Sequence, residues 1–181
     1  MNYNFQKLKK EAIIKYLSLD KYKYLNDNLY KCDTKEYQTI FNSFYKVRRN
    51  ANWRKIFYKY FESIKDTKDI KYEDIITYLY KETGNVEASF SSKVLATINP
   101  NMPILDRNVL SNLNLKIDGK TKEEKFNNAI KTYYKIIEIE NEMLNNLQIQ
   151  KFIKEFKELF PEYELSNIKI LDCLLWKSEI K

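Results

Sequence analysis

The sequence predicts an all-α fold, written as a single helical domain over residues 1–181. Three observations carry that expectation. Apolar residues recur three and four positions apart along most of the chain, which lays one buried stripe along each helix. No run of strict alternation bounded by turn residues appears, so a strand has room only briefly near residue 116. The two glycines, Gly84 and Gly119, fall where helices are expected to end.

Taken in order, Tyr37, Phe41 and Phe44 give the first clear stripe. Trp53, Ile56, Phe57, Tyr60, Phe61 and Ile64 follow at the spacing i, i+3, i+4, i+7, i+8, i+11 and predict a second helix. Ile75, Ile76 and Leu79 predict a helix over about 72–82 with Gly84 just past its end, and residues 88–98 predict the next. The stretch KETGNVEASFSSKVLATINP therefore reads as helix, tight hairpin, helix and stop. Pro103 closes that segment, and Asp106 stands at the start of a helix over 107–113. Thr121 and Glu124 form a capping box for a long helix marked by Phe126, Ile130, Tyr133, Ile137, Leu144 and Leu147. Phe152, Phe156 and Leu159 mark another, stopped near Pro161. Ile168, Leu171, Leu174, Leu175 and Trp176 close the chain.

Composition narrows the chemistry. The chain has no histidine, which removes the Ser-His-Asp triad, the commonest general base and the usual transition-metal ligand. Cys32 and Cys173 are distant and lack a CxxC context, so no metal, iron–sulfur cluster or other cofactor is expected. No leader-like start and no apolar run near the roughly 20 residues of a membrane span are present, so a cytoplasmic protein with no membrane partner is expected. A net charge of +7 is compatible with a polyanionic partner. Arginine is more telling than the sum. Only Arg48, Arg49, Arg54 and Arg107 stand against a background of lysine, three of them within seven residues. A planar forked donor suits phosphate contact or a buried ion pair. The segment YKVRRNANWRK interleaves these groups with Tyr45 and Trp53, as a strand-binding surface does; a helix junction with Trp53 in the core is the alternative.

The helix–hairpin–helix followed by PILDRNV resembles the HhH-GPD superfamily of DNA glycosylases, and locally the MutY-type adenine glycosylases, which carry a similar PILDGNV. The likeness covers about residues 72–115. The family's catalytic aspartate follows the first hairpin glycine by about 22 residues, and Asp106 stands in that relation to Gly84. The resemblance implies a DNA-binding protein of glycosylase ancestry, with DNA as partner, Gly84 in the phosphate-gripping hairpin and Asp106 as the carboxylate of a monofunctional base-excising enzyme. Such a carboxylate would stabilise cationic charge developing at the sugar carbon. A wider likeness, over residues 40–176, is to a group of uncharacterised bacterial proteins that share SFSSK, INP, P-x-x-D and a C-terminal LW; it implies a shared fold and no activity.

The chain departs from the glycosylase pattern at two hairpin positions. Val86 stands where the second hairpin glycine belongs, and Ala88 where bifunctional relatives carry a Schiff-base lysine. Lys93 lies five positions further on, turned by about 140° around the helix. It suits an ion pair with Asp106 or a phosphate contact. The sequence thus leaves two readings of Asp106, catalytic carboxylate or plain N-cap, and two of the protein, base-excising enzyme or non-catalytic nucleic-acid or protein interaction module. Candidate nucleic-acid-binding residues are Gly84, Lys93, Arg48, Arg49, Arg54 and Arg107. An oligomeric state is not implied.

Overall fold

The computed structural model describes residues 19–67 and 69–177, and at 176 and 177 the backbone alone. Trp176 is therefore placed within the last helix while its side chain lies outside the described residues. Every element found among them is helical.

Helix α1 (Leu19–Asp27) leads through a 3-10 turn (Leu29–Lys31) into α2 (Lys35–Tyr45) and α3 (Ala51–Ile64). Thr34 caps α2 by accepting the Tyr37 N–H at 3.3 Å, and Asn50 caps α3 by accepting the Trp53 N–H at 2.9 Å. Helix α4 (Tyr72–Thr83) ends at Gly84, whose φ of 69° is the left-handed value that glycine adopts without a Cβ penalty. Four residues later α5 (Ala88–Ile98) begins and packs back on α4, giving the helix–hairpin–helix expected over 72–98. A short α6 (Arg107–Asn112) follows the 103–106 turn, then come α7 (Lys122–Leu144), α8 (Leu147–Leu159), a 3-10 turn (Pro161–Tyr163) and α9 (Asn167–Lys177).

The core is largely aromatic. Tyr37, Phe41, Phe57 and Phe61 are fully buried where α2 crosses α3, and the ring of Tyr72 on α4 stacks on Tyr133 of α7 at 3.9 Å between centroids. Burying each such ring contributes roughly 1.5–3 kcal/mol. Their hydroxyls are satisfied: Tyr72 donates to the Ala88 carbonyl, Tyr37 to Leu25 and Tyr133 to Pro103, each at 3.1 Å. Helix α9 packs on α6, α7 and α8. Cys32 sits under the α2–α3 junction and donates to Glu62 Oε2 at 2.7 Å.

Three expectations are corrected. The long helix marked through Leu147 breaks after Leu144: Asn146 turns to accept the N–H groups of Gln148 and Ile149 and starts α8. Leu147 is then 80 % exposed, and Leu159 is also exposed rather than part of a buried stripe. Gly119 does not end a helix but precedes α7, where a Cβ would stand 2.7 Å from the Lys125 backbone nitrogen. In agreement with the all-α reading, no strand occurs among the described residues, and near residue 116 the chain is irregular.

Candidate nucleic-acid interface and the charged cavity beneath Asp106

Asp106 begins α6 with extended backbone, and its Oδ1 accepts the N–H groups of Asn108 at 3.0 Å and Val109 at 3.1 Å. This satisfies two of the donors that a helix start leaves orphaned and places negative charge at the positive end of the dipole. The turn leading to it is fastened at successive residues. Tyr133 of α7 donates to the Pro103 carbonyl, Asp172 of α9 accepts the Ile104 N–H at 3.0 Å, and Ser92 Oγ of α5 accepts the Leu105 N–H at 2.9 Å. Ser91 and Ser92 are fully buried, so neither can touch a phosphate.

Behind Asp106 lies a cavity of about 20 Å³ lined by Phe44, Tyr45, Lys93, Ile104, Val109, Lys169 and Asp172. That is room for about one water molecule, far short of a nucleobase. Tyr45, one of its walls, is pinned by a hydroxyl contact of 3.2 Å with Thr97. Lys93 enters half-buried. Its Nζ donates to the Tyr45 carbonyl at 3.3 Å and lies 5.5 Å from the Phe90 ring centroid and 5.8 Å from that of Tyr45. Burial lowers the Lys93 pKa from the usual lysine range, and the Asp106 carboxylate opposes that fall.

The arginines divide. Arg49 Nη2 meets Glu87 Oε2 at 2.7 Å, and the guanidinium lies over the rings of Trp53 and Phe90 at 5.6 and 5.4 Å. Glu87, buried at the start of α5, also accepts the Trp53 indole N–H at 3.0 Å. Trp53 and Tyr45 are both buried, as the helix-junction reading of YKVRRNANWRK expects of Trp53, and neither offers a stacking surface. Arg48 and Arg107 are exposed. Arg54 is half-buried elsewhere, in an open groove of about 620 Å³ between α2 and α3 shared with Lys35, Lys55, Lys59, Asp33 and Glu62. Gly84 offers its carbonyl to Lys122 Nζ at 2.7 Å, and the adjoining Asn85 N–H turns to Thr83 Oγ1 at 3.3 Å.

Contacts connect Arg49, Lys93 and Asp106: Phe90 lies under both cations, and Lys93 borders the cavity with Asp106. Arg48 and Arg107 adjoin that set in sequence, whereas Arg54 and Gly84 border other features. The sequence reading missed Glu87, Glu140, Lys169 and Asp172, all buried. Lys169 and Asp172 did leave a signal, as two charges at i, i+3 inside the apolar run IKILDCLL. Among the described residues no group of His, Cys, Asp or Glu side chains could hold a metal ion, and no helix is long and apolar enough to cross a membrane. No family model, curated protein or solved structure matches this chain.

Proposed function

We propose that this chain is a DNA-binding protein of glycosylase-like ancestry that works as a non-catalytic module, with Asp106 as helix cap and counter-charge. The observation that carries the reading is the joining of three basic segments. The Arg49–Glu87 bridge ties the 46–50 loop to the hairpin, and the Lys93 bond to Tyr45 ties α5 to the end of α2. Arg107 leaves the neighbouring turn. Backbone phosphates are the partner chemistry for such a set, with Arg48 and Arg107 exposed to meet them.

Fluorescence anisotropy of labelled duplex and single-stranded DNA against salt tests it. Binding should weaken steeply as salt rises, and R48A or R107A should each lower the magnitude of the log–log salt slope by about 1. Salt-independent binding, or none at low salt, sinks the proposal. Preference for RNA or for a protein would reassign the partner.

Base excision is the second reading, favoured by one observation: Asp106 and a lysine of lowered pKa border the same cavity. Against it stands the cavity's size, since Tyr45 or Phe44 would have to swing out to admit a base. A panel of duplexes with damaged or modified bases, treated with hot alkali to reveal abasic sites, should stay intact. If wild type excises a base and Asp106→Asn binds the same duplex without turnover, the enzymatic reading replaces the binding one.

A further inference from the structure

Three ionisable side chains are shut together inside the protein below the Asp106 turn. Lys169 and Asp172 come from α9 and Glu140 from α7, with 4 %, 2 % and 0 % of their surfaces exposed. Charges at that depth persist only when paired or neutralised. Asp172 Oδ1 holds the Ile104 N–H, but its Oδ2 and both oxygens of Glu140 have no hydrogen-bond partner among the described residues. Lys169 Nζ lies over the Tyr22 and Phe44 rings at 4.7 and 5.7 Å from their centroids.

Two carboxyls facing one ammonium make a neutral unit only if one carboxyl keeps its proton. Burial, then the Asp172 charge, raises Glu140 well above the usual carboxylate range, against the pull of Lys169. Burial raises Asp172 as well, while Lys169 and the Ile104 N–H favour its charged form; Glu140 has no such N–H, so the proton of the pair sits there. The other groups that face the cluster are Tyr22 of α1, Tyr45 of α2, Lys93 of α5, Asp106, Tyr133 of α7 and Cys173 of α9. The phenols of Tyr22, Tyr45 and Tyr133 are all raised, mainly by burial, so they stay neutral. Lys93 and Asp106 are of opposite sign.

We propose that Asp172 is a positioning residue for the Asp106 turn, and that a proton held on Glu140 is what allows it to hold that turn. Asp172 grips the Ile104 N–H two residues before Asp106, and Glu140 supplies no second negative charge while protonated. When hydroxide removes that proton to form water, two carboxylates share one ammonium in a dry site. The cluster then relaxes by admitting water, which loosens α9 from residues 103–106 and moves Asp106 and Arg107 with them. The inference rests on the proposed function only in that this turn belongs to the proposed interface.

Amide hydrogen exchange at Ile104 in the full chain, expressed as a protection factor and followed by NMR from pH 6 to pH 9, reads the latch without any nucleic acid. Wild type should lose about tenfold or more of its Ile104 protection over that range, while the Ile75 amide inside α4 holds steady. Glu140→Gln, which fixes the neutral form, should fold and keep Ile104 protection within about twofold at every pH. Pressing the same comparison with Asp172→Ala should remove the protection at both ends of the range. The proposal is overturned if wild-type protection at Ile104 does not change with pH, if Glu140→Gln follows the wild-type curve, or if Glu140→Gln fails to fold. Failure of DNA binding with this pH pattern intact would remove the functional reading and leave the latch standing.

Discussion

At Glu87 a carboxylate with 2 % of its surface exposed receives an arginine fork on one oxygen and an indole N–H on the other. Removing it would strand the Trp53 donor in the core and release Arg49 from its seat over two rings, so Glu87→Ala should cost about 2 kcal/mol of stability. Chemical denaturation with unchanged m-value would check this. Asp106 should behave more mildly. Asp106→Ala should cost about 1 kcal/mol and Asp106→Asn a few tenths, since asparagine caps nearly as well. A loss near that of Glu87→Ala would mean that the carboxylate has a role beyond its two N–H contacts. The contrast shows what a sequence exposes at this scale. Asp106 was legible because its cap partners lie two and three residues away, whereas Glu87 depends on Arg49 and Trp53, more than thirty positions back.

Helix boundaries were legible wherever the stop or start chemistry is local. Gly84 and the Thr121–Glu124 box fell where expected because each acts within one turn of backbone. The break between α7 and α8 was hidden, because Leu144 and Leu147 keep the i, i+3 spacing straight through it and only Asn146 betrays the new start. Gly119 was misread for a similar reason. Its need is for close approach to the first turn of α7, which no local pattern records. Gly119→Ala would force a Cβ against the Lys125 nitrogen and should cost about 1–2 kcal/mol. A thermal midpoint equal to wild type would show that the loop yields freely. The buried charges of α9 escaped notice because an apolar run at helical spacing looks like pure core.

Across the whole molecule the raised carboxyls set an unusual dependence on acidity. A carboxyl whose folded pKa exceeds its unfolded value stabilises the fold fully below the unfolded value near 4, and that contribution is lost as pH climbs through the folded one. Glu140, raised well above the usual carboxylate range by burial and then by the Asp172 charge, opens this window from about 4 upward. Thermal midpoints should therefore fall from pH 5 to pH 8. In Glu140→Gln the fall should be shallower, and equal slopes would assign the wild-type trend to other groups.

The pairing of Cys32 with Glu62 has a practical consequence for anyone wishing to attach a reporter. Burial and then the Glu62 carboxylate push that thiol well above its ordinary range, and Cys173 is equally enclosed. Alkylation requires an accessible thiolate. A maleimide dye should thus leave the native protein almost unmodified and take up both sulfurs only after urea. A single cysteine substituted for the exposed Leu147 would then carry the fluorophore alone, with the natural pair left in place.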